Sequence, residues 1–214
     1  LGFDANCKLL LFVGRIEPLK AVDTILEALS IIQDRQPEAL KNVCFAVVGG
    51  NPQDPDAELA RLLHMVRALG LDDVVQFMGA KSHELLPYYY ASATSVIMPS
   101  DYESFGMVAL EAMASGTPVI ATEVGGLAFL VRDGETGYLV PVRDPQALAE
   151  RIVILLTDTE KRQKLGENAT HLAHQYDWSA IANQLITLFQ DQIRRNVPMV
   201  VSLRKSSGYL PPLH

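Results

Sequence analysis

Residues 95–120 read SVIMPSDYESFGMVALEAMASGTPVI. Ser95 to Met98 is an apolar run of strand length, Pro99-Ser100 breaks it, and the small, polar turn from Asp101 to Gly106 opens a helix over about Phe105 to Ala114. Gly116-Thr117-Pro118 then leads into a second apolar run, Val119 to Thr122. Strand, loop, helix and strand in this order make up the unit of a parallel α/β sheet. The first turn of such a helix has unpaired N–H groups and a partial positive charge, so a hydroxyl-bearing loop in front of it suits an anion such as a phosphate. Glu103 stands in that loop and Glu111 follows eight residues later. At helical rise the two are about 10 Å apart, comparable to the span from a sugar ring across a diphosphate to a ribose.

The same unit recurs on either side. Leu9 to Gly14 is an apolar run followed by the polar loop Arg15-Ile16-Glu17-Pro18-Leu19-Lys20 and an amphipathic helix from about Ala21 to Gln33. Val43 to Val48, closed by Gly49-Gly50, precedes a helix from about Asp56 to Leu69, and Val74 to Met78 with Gly79 precedes one from His83 to Ala91. After Gly125-Gly126 a turn-rich segment leads to the short strand Tyr138 to Val140 and to three helices near 145–156, 160–176 and 178–194. Continuous apolar strands alternating with helices predict an α/β fold with a Rossmann-like parallel sheet covered by helices on both faces, and ligands at the carboxyl ends of the strands. One domain over residues 1–197 and a Pro/Ser/Gly-containing tail over 198–214 are expected.

With 18 basic against 25 acidic residues in 214, a net charge of −7, the chain lacks the basic balance of a nucleic-acid binder. Cys7 and Cys44 have no metal-site or redox-motif spacing and read as free thiols, with a reducing compartment as the default. No apolar run approaches the ~18–20 residues that span a bilayer, and no charged-then-apolar leader precedes the first strand. The start at Leu1, without Met, is taken as the sign of a fragment of a longer protein.

The polar candidates all fall after strand ends. Arg15, a planar fork, and Lys20, a mobile point charge, flank the first strand-to-helix loop. Gly14, Gly49, Gly50 and Gly79 would let a ligand approach the backbone closely. Gly79-Ala80-Lys81-Ser82 is not a Walker A loop, which needs Gly directly before Lys, and no G-x-G-x-x-G follows the first strand. His171 and His174 lie three apart without further ligand candidates and read as surface residues, so no metal is expected. No nucleophile elbow of the G-x-S-x-G kind is present.

The run Glu103-Ser104-Phe105-Gly106 through Ala109-Leu110-Glu111-Ala112-Met113-Ala114 to Gly116-Thr117-Pro118-Val119, with Gly14-Arg15 and Glu17-Pro18-Leu19-Lys20, resembles the group 1 glycosyltransferases, retaining nucleotide-sugar-dependent enzymes of GT-B architecture. The resemblance covers roughly residues 8–190 and implies the carboxyl-terminal, donor-binding half, with an amino-terminal acceptor-binding domain as its partner. It implies transfer from a nucleoside-diphosphate sugar, in first instance UDP-glucose or a related UDP-sugar, to an acceptor hydroxyl in glycan or glycoconjugate synthesis, with neither metal nor cofactor. Arg15 and Lys20 would stabilise the leaving diphosphate, Glu103 would orient the sugar, and Glu111 would accept the ribose hydroxyls. Gly14, Gly49, Gly79, Lys81, Ser104, Phe105, Gly106 and Met107 would contact the donor, the backbone at Ala80 and Lys81 holding the base. Alone, the chain is expected to bind donor with little or no transfer. Two departures stand out: Ala21, where the family commonly has Gly and where an added methyl would tighten the space beside the phosphate, and Ala128-Phe129, where it often has Pro-Glu. These leave room for a non-catalytic nucleotide-sugar-binding module, and a GT-B-like epimerase is a further alternative. A cytoplasmic setting is expected, with work at the inner membrane face open through the absent domain.

Overall fold

The apolar runs form the strands of a computed structural model that describes residues 2–4 and 6–206, with side chains described through residue 195. Six strands, β1 (Lys8–Val13), β2 (Val43–Val48), β3 (Val75–Phe77), β4 (Ala93–Met98), β5 (Val119–Thr122) and β6 (Gly137–Val140), form one sheet in the order β3-β2-β1-β4-β5-β6. Every pairing is parallel. The helices are α1 (Val22–Arg35), α2 (Ala57–Ala68), α3 (Leu86–Ser92), α4 (Met107–Ala114), α5 (Leu127–Leu130), α6 (Pro145–Thr157), α7 (Thr159–Ala173) and α8 (Trp178–Ser206).

Alternation along the strands sends successive side chains to opposite faces. Leu10 and Phe12 join Phe45, Val47, Ile97 and Ile120 in one core with the apolar stripes of α1, α2 and α6. Leu9, Leu11, Ala46, Val96 and Val119 are equally buried but lie outside that cluster, on the face where α3 and α4 pack against the sheet. Burial on both faces is why these strands carry continuous apolar runs, each fully buried leucine contributing roughly 1.5–3 kcal/mol. Sequence-encoded caps fix two helix starts: Asp56 accepts from Leu59 N–H at 2.8 Å, and Asp144, before Pro145, accepts from Ala147 N–H at 2.9 Å.

Several boundaries differ from expectation for local reasons. Helix α4 begins at Met107 rather than Phe105, because Gly106 is left-handed at φ 92° and ends the loop. Helix α3 begins at Leu86 because residues 82–85 form a turn, Leu85 N–H donating to Ser82 O at 3.0 Å. Between Gly125-Gly126 and the turn at residues 134–136 lies a short helix, α5, for which no element was expected. Cys7 and Cys44 are not free thiols: they are joined in a disulfide between the residue preceding β1 and the neighbouring strand β2.

The chain divides into two compact units, Leu1–Ala173 and His174–His214. Among the described residues the second comprises a short turn of helix, His174–Tyr176, and α8. The boundary expected at residue 197 falls inside α8, which runs on through 198–206; the remaining tail residues, 207–214, lie outside the described residues. Among the described residues no helix is long and apolar enough to cross a membrane.

Candidate functional site

The strand order reverses between β1 and β4: the chain moves outward from β1 to β3, then returns to place β4 on the other side of β1. In open α/β sheets the crevice at such a reversal, beyond the carboxyl ends of the strands, is where ligands bind. A cavity of about 270 Å³ lies there, and its wall unites Gly14, Arg15 and Lys20 after β1 with Ser100 and Glu103 to Met107 after β4. Residues more than eighty positions apart thus face one another across it.

Lys20 and Glu103 meet in this cavity, the ammonium donating to Glu103 Oε2 at 2.7 Å, with side chains 21% and 16% exposed. Burial alone would raise the Glu103 carboxyl, but the Lys20 ammonium and the N–H groups of Phe105 and Gly106 outweigh it and hold the group below the usual carboxylate range. Two groups expected to meet a diphosphate, the Lys20 ammonium and the amides at the loop's end, therefore hold the Glu103 carboxylate here. Helix α4 has no side-chain cap. Its first N–H groups, at Met107 and Val108 on the cavity wall, keep the partial positive end of the helix directed at this space. Arg15 is 80% exposed at the rim of the cavity and pairs with Glu17 at 2.6 Å.

The Glu103 loop is seated by Gly125-Gly126. Gly126 N–H donates to Glu103 O at 2.9 Å, and a Cβ on Gly126 would collide with the Phe105 backbone. Gly49 serves the opposite wall: its N–H donates to Gly79 O at 3.1 Å, and a Cβ there would run into the Gly14 carbonyl. Gly49 therefore supports the Gly14 turn from behind. Gly79, with Gly50 and Ala80, lines a neighbouring cavity of about 490 Å³, and Lys81 follows in sequence without lining either cavity. Glu111 also lines neither; it projects from α4, and its Oε2 accepts the Tyr90 hydroxyl at 2.7 Å.

The expectation at Ala21 takes a different physical form. Ala21 does not line the cavity; it is buried in the left-handed conformation at φ 53°, so what its methyl burdens is the backbone. Phe129 is 82% exposed on α5. Among the described residues no group of three or more His, Cys, Asp or Glu side chains could hold a metal.

Two residues were invisible to sequence reasoning. Tyr90 is one. Arg143 is the other: its guanidinium gives paired hydrogen bonds to Asp101 at 2.7 and 2.6 Å, one to Asp23 at 2.9 Å and one to Pro18 O at 2.9 Å. It thus joins the Lys20 loop to the Glu103 loop, which Asp101 N–H also bridges by donating to Leu19 O at 2.9 Å. Only the separation of these residues in sequence hid the cluster, since each alone is an ordinary loop or helix-start charge.

A family model described as Glycosyl transferases group 1 matches residues 1–172. A D-inositol 3-phosphate glycosyltransferase of Corynebacterium glutamicum is 40% identical over 193 residues, 90% of this chain and 46% of the relative. Among solved structures, sucrose-phosphate synthase from Thermosynechococcus elongatus superposes with a TM-score of 0.77 at 38% identity, covering 90% of this chain and 47% of its own. Anabaena HepE, solved in complex with UDP-glucose, gives 0.74 at 29% identity, covering 87% of this chain and 50% of its own. The chain spans about half the length of the curated relatives it matches. On a matched family model, close relatives and a shared Rossmann-like sheet of the GT-B kind, this chain belongs to the group 1 glycosyltransferases.

Proposed function

We propose that this chain is the donor-binding half of a retaining glycosyltransferase that moves a hexosyl group, in first instance glucosyl, from a UDP-sugar to an acceptor hydroxyl in glycan or glycoconjugate synthesis. The observation that carries the proposal is the Lys20–Glu103 pair, 2.7 Å apart beside the uncapped start of α4, at the reversal point of the sheet. A cation and a helix terminus can hold a diphosphate there while a carboxylate faces the attached sugar. The UDP-glucose bound by Anabaena HepE supports uridine and glucose as the first donor to try.

In the proposed reaction the bond between the sugar C1 and the diphosphate oxygen breaks as a bond from the acceptor oxygen to C1 forms. The electron pair leaves with the diphosphate, and the acceptor proton passes to the departing diphosphate oxygen. Lys20, the exposed Arg15 and the α4 N–H groups stabilise charge growing on the leaving group. Glu103, on releasing Lys20, takes sugar hydroxyls and fixes C1. Glu111 accepts the ribose hydroxyls, and the Gly79–Lys81 backbone faces the base. Because cations and a helix terminus supply positive charge, donor binding is proposed to need no divalent ion. The acceptor is assigned to an amino-terminal domain, without which near-attack geometry is incomplete and transfer by this chain is slow.

Calorimetric titration of the chain with UDP-glucose, with GDP-mannose as competitor and with and without chelator, tests this. The expected result is saturable UDP-glucose binding that survives chelation and weakens about tenfold or more in Glu111→Ala. Preference for GDP-mannose would overturn the uridine assignment, and binding of neither would overturn the donor site itself.

A further inference from the structure

We propose that Tyr90 is a positioning residue whose hydroxyl sets the plane of the Glu111 carboxylate for ribose recognition. The inference rests on the reading of Glu111 as the ribose acceptor and adds the residue that makes that acceptor selective.

Tyr90 lies on α3 and is 1% exposed. Its hydroxyl donates to Glu111 Oε2 at 2.7 Å, and its own carbonyl accepts from Thr117 Oγ1 at 2.6 Å. The ring is therefore fixed by packing and by a buried bond to the loop that ends α4. Burial, reinforced by the adjacent Glu111 carboxylate, pushes the phenol well above the ordinary tyrosine range and keeps it the donor of this bond. No Lys or Arg forms an ion pair with Glu111 among the described residues.

The geometry has a specific consequence. The last torsion of a glutamate side chain is broad and nearly two-fold, so packing along the α4 stem does not orient the carboxylate. Tyr90 does so by engaging one oxygen, Oε2. The other, Oε1, is thereby left to accept from a ribose hydroxyl in a defined direction. A freely rotating carboxylate would present either oxygen and lose part of that directionality as rotational entropy on binding.

The test is calorimetry on the 214-residue chain and on Tyr90→Phe, with UDP, 2′-deoxy-UDP and 3′-deoxy-UDP as probes. Phenylalanine fills the same ring volume, and thermal melting reports on the fold. The wild type is expected to bind UDP about tenfold more tightly than at least one deoxy analogue, the effect of losing one hydrogen bond to a charged group. In Tyr90→Phe, UDP affinity should fall to within about threefold of that analogue's, while the analogue's own affinity stays unchanged. If the wild type discriminates and Tyr90→Phe discriminates equally well, the positioning role is overturned while the ribose role of Glu111 stands. If Tyr90→Phe weakens UDP and both analogues by the same factor, Tyr90 is merely structural and the inference is overturned. If the wild type itself makes no distinction, the ribose reading of Glu111 falls and the inference falls with it.

Discussion

Lys20 is held by Glu103, yet the proposed chemistry asks it to hold a diphosphate. The 2.7 Å bond and the low exposure of both partners make this a real competition, since a charge-assisted bond away from bulk water is worth roughly 1.5–3 kcal/mol. Glu103→Gln removes the competing charge and frees Lys20 for phosphate. UDP should then bind as tightly as in the wild type or up to about tenfold more tightly, while Lys20→Ala weakens UDP by about tenfold or more. Weaker UDP binding in Glu103→Gln, measured by the same titration, would show that the carboxylate does not contend for Lys20. The pair also predicts a pH signature. The Glu103 carboxyl is held below its reference value of 4.5, so between its folded and unfolded pKa values the unfolded chain binds more protons and stability rises with pH. The stabilisation is complete above about pH 5 and is lost as pH falls through 4.5 and below. In Lys20→Ala, burial acts on Glu103 without its main counterweight, and the gap in melting temperature between wild type and variant, measured from pH 7 to pH 3, should narrow as the pH falls below about 4.5.

At the level of elements, the site depends on two loops being held together. Arg143 bonds to Pro18 O and Asp101 across that junction, and it does so from a left-handed backbone at φ 55°. That conformation costs a non-glycine residue roughly 1–2 kcal/mol. Glycine there would relieve the backbone while deleting the side chain, so Arg143→Gly should melt above Arg143→Ala by a few degrees. Both variants should show faster hydrogen exchange in residues 15–20 and in residues 100–106 together. Unchanged exchange in either loop would mean that Arg143 decorates the junction without securing it. The contrast with α4 shows what sequence can carry. The strand, turn and helix over 95–114 are legible because strand pattern, Gly106 and apolar helix residues are neighbours along the chain. The Arg143 cluster draws Asp23 from the first turn of α1 and Asp101 and Arg143 from two separate connections, and no local rule pairs charges that distant. Ala21 fell between these cases: its mismatch with the family pattern was visible, but that it bears on backbone conformation rather than on the cavity required φ.

For the whole molecule, hydrophobic periodicity was enough to read a parallel sheet, because burial on both faces writes itself into the strands as continuous apolar runs. It could not reveal that Cys7 and Cys44 meet. Their pairing follows from the register that sets Leu9 beside Cys44, which brings the residue before β1 within a Cα separation of 6.0 Å of β2. The bridge closes a loop with a sequence separation of 37, worth roughly 3–4 kcal/mol by chain entropy. For a chain of this size that corresponds to a fall of roughly 10 °C in melting temperature on reduction. The disulfide is also at the far end of the sheet from the cavity. Cys7 precedes β1 and Gly14 follows it, and six strand residues at 3.3 Å each put about 20 Å between them. Reduction with dithiothreitol should therefore lower the melting temperature while leaving UDP affinity within about twofold, since distant and unconnected sites contribute independently. Thiol labelling of the denatured chain, with and without prior reduction, checks the premise. Full labelling without reductant would remove the bridge, and a parallel loss of UDP affinity on reduction would show that the two ends of the sheet are coupled.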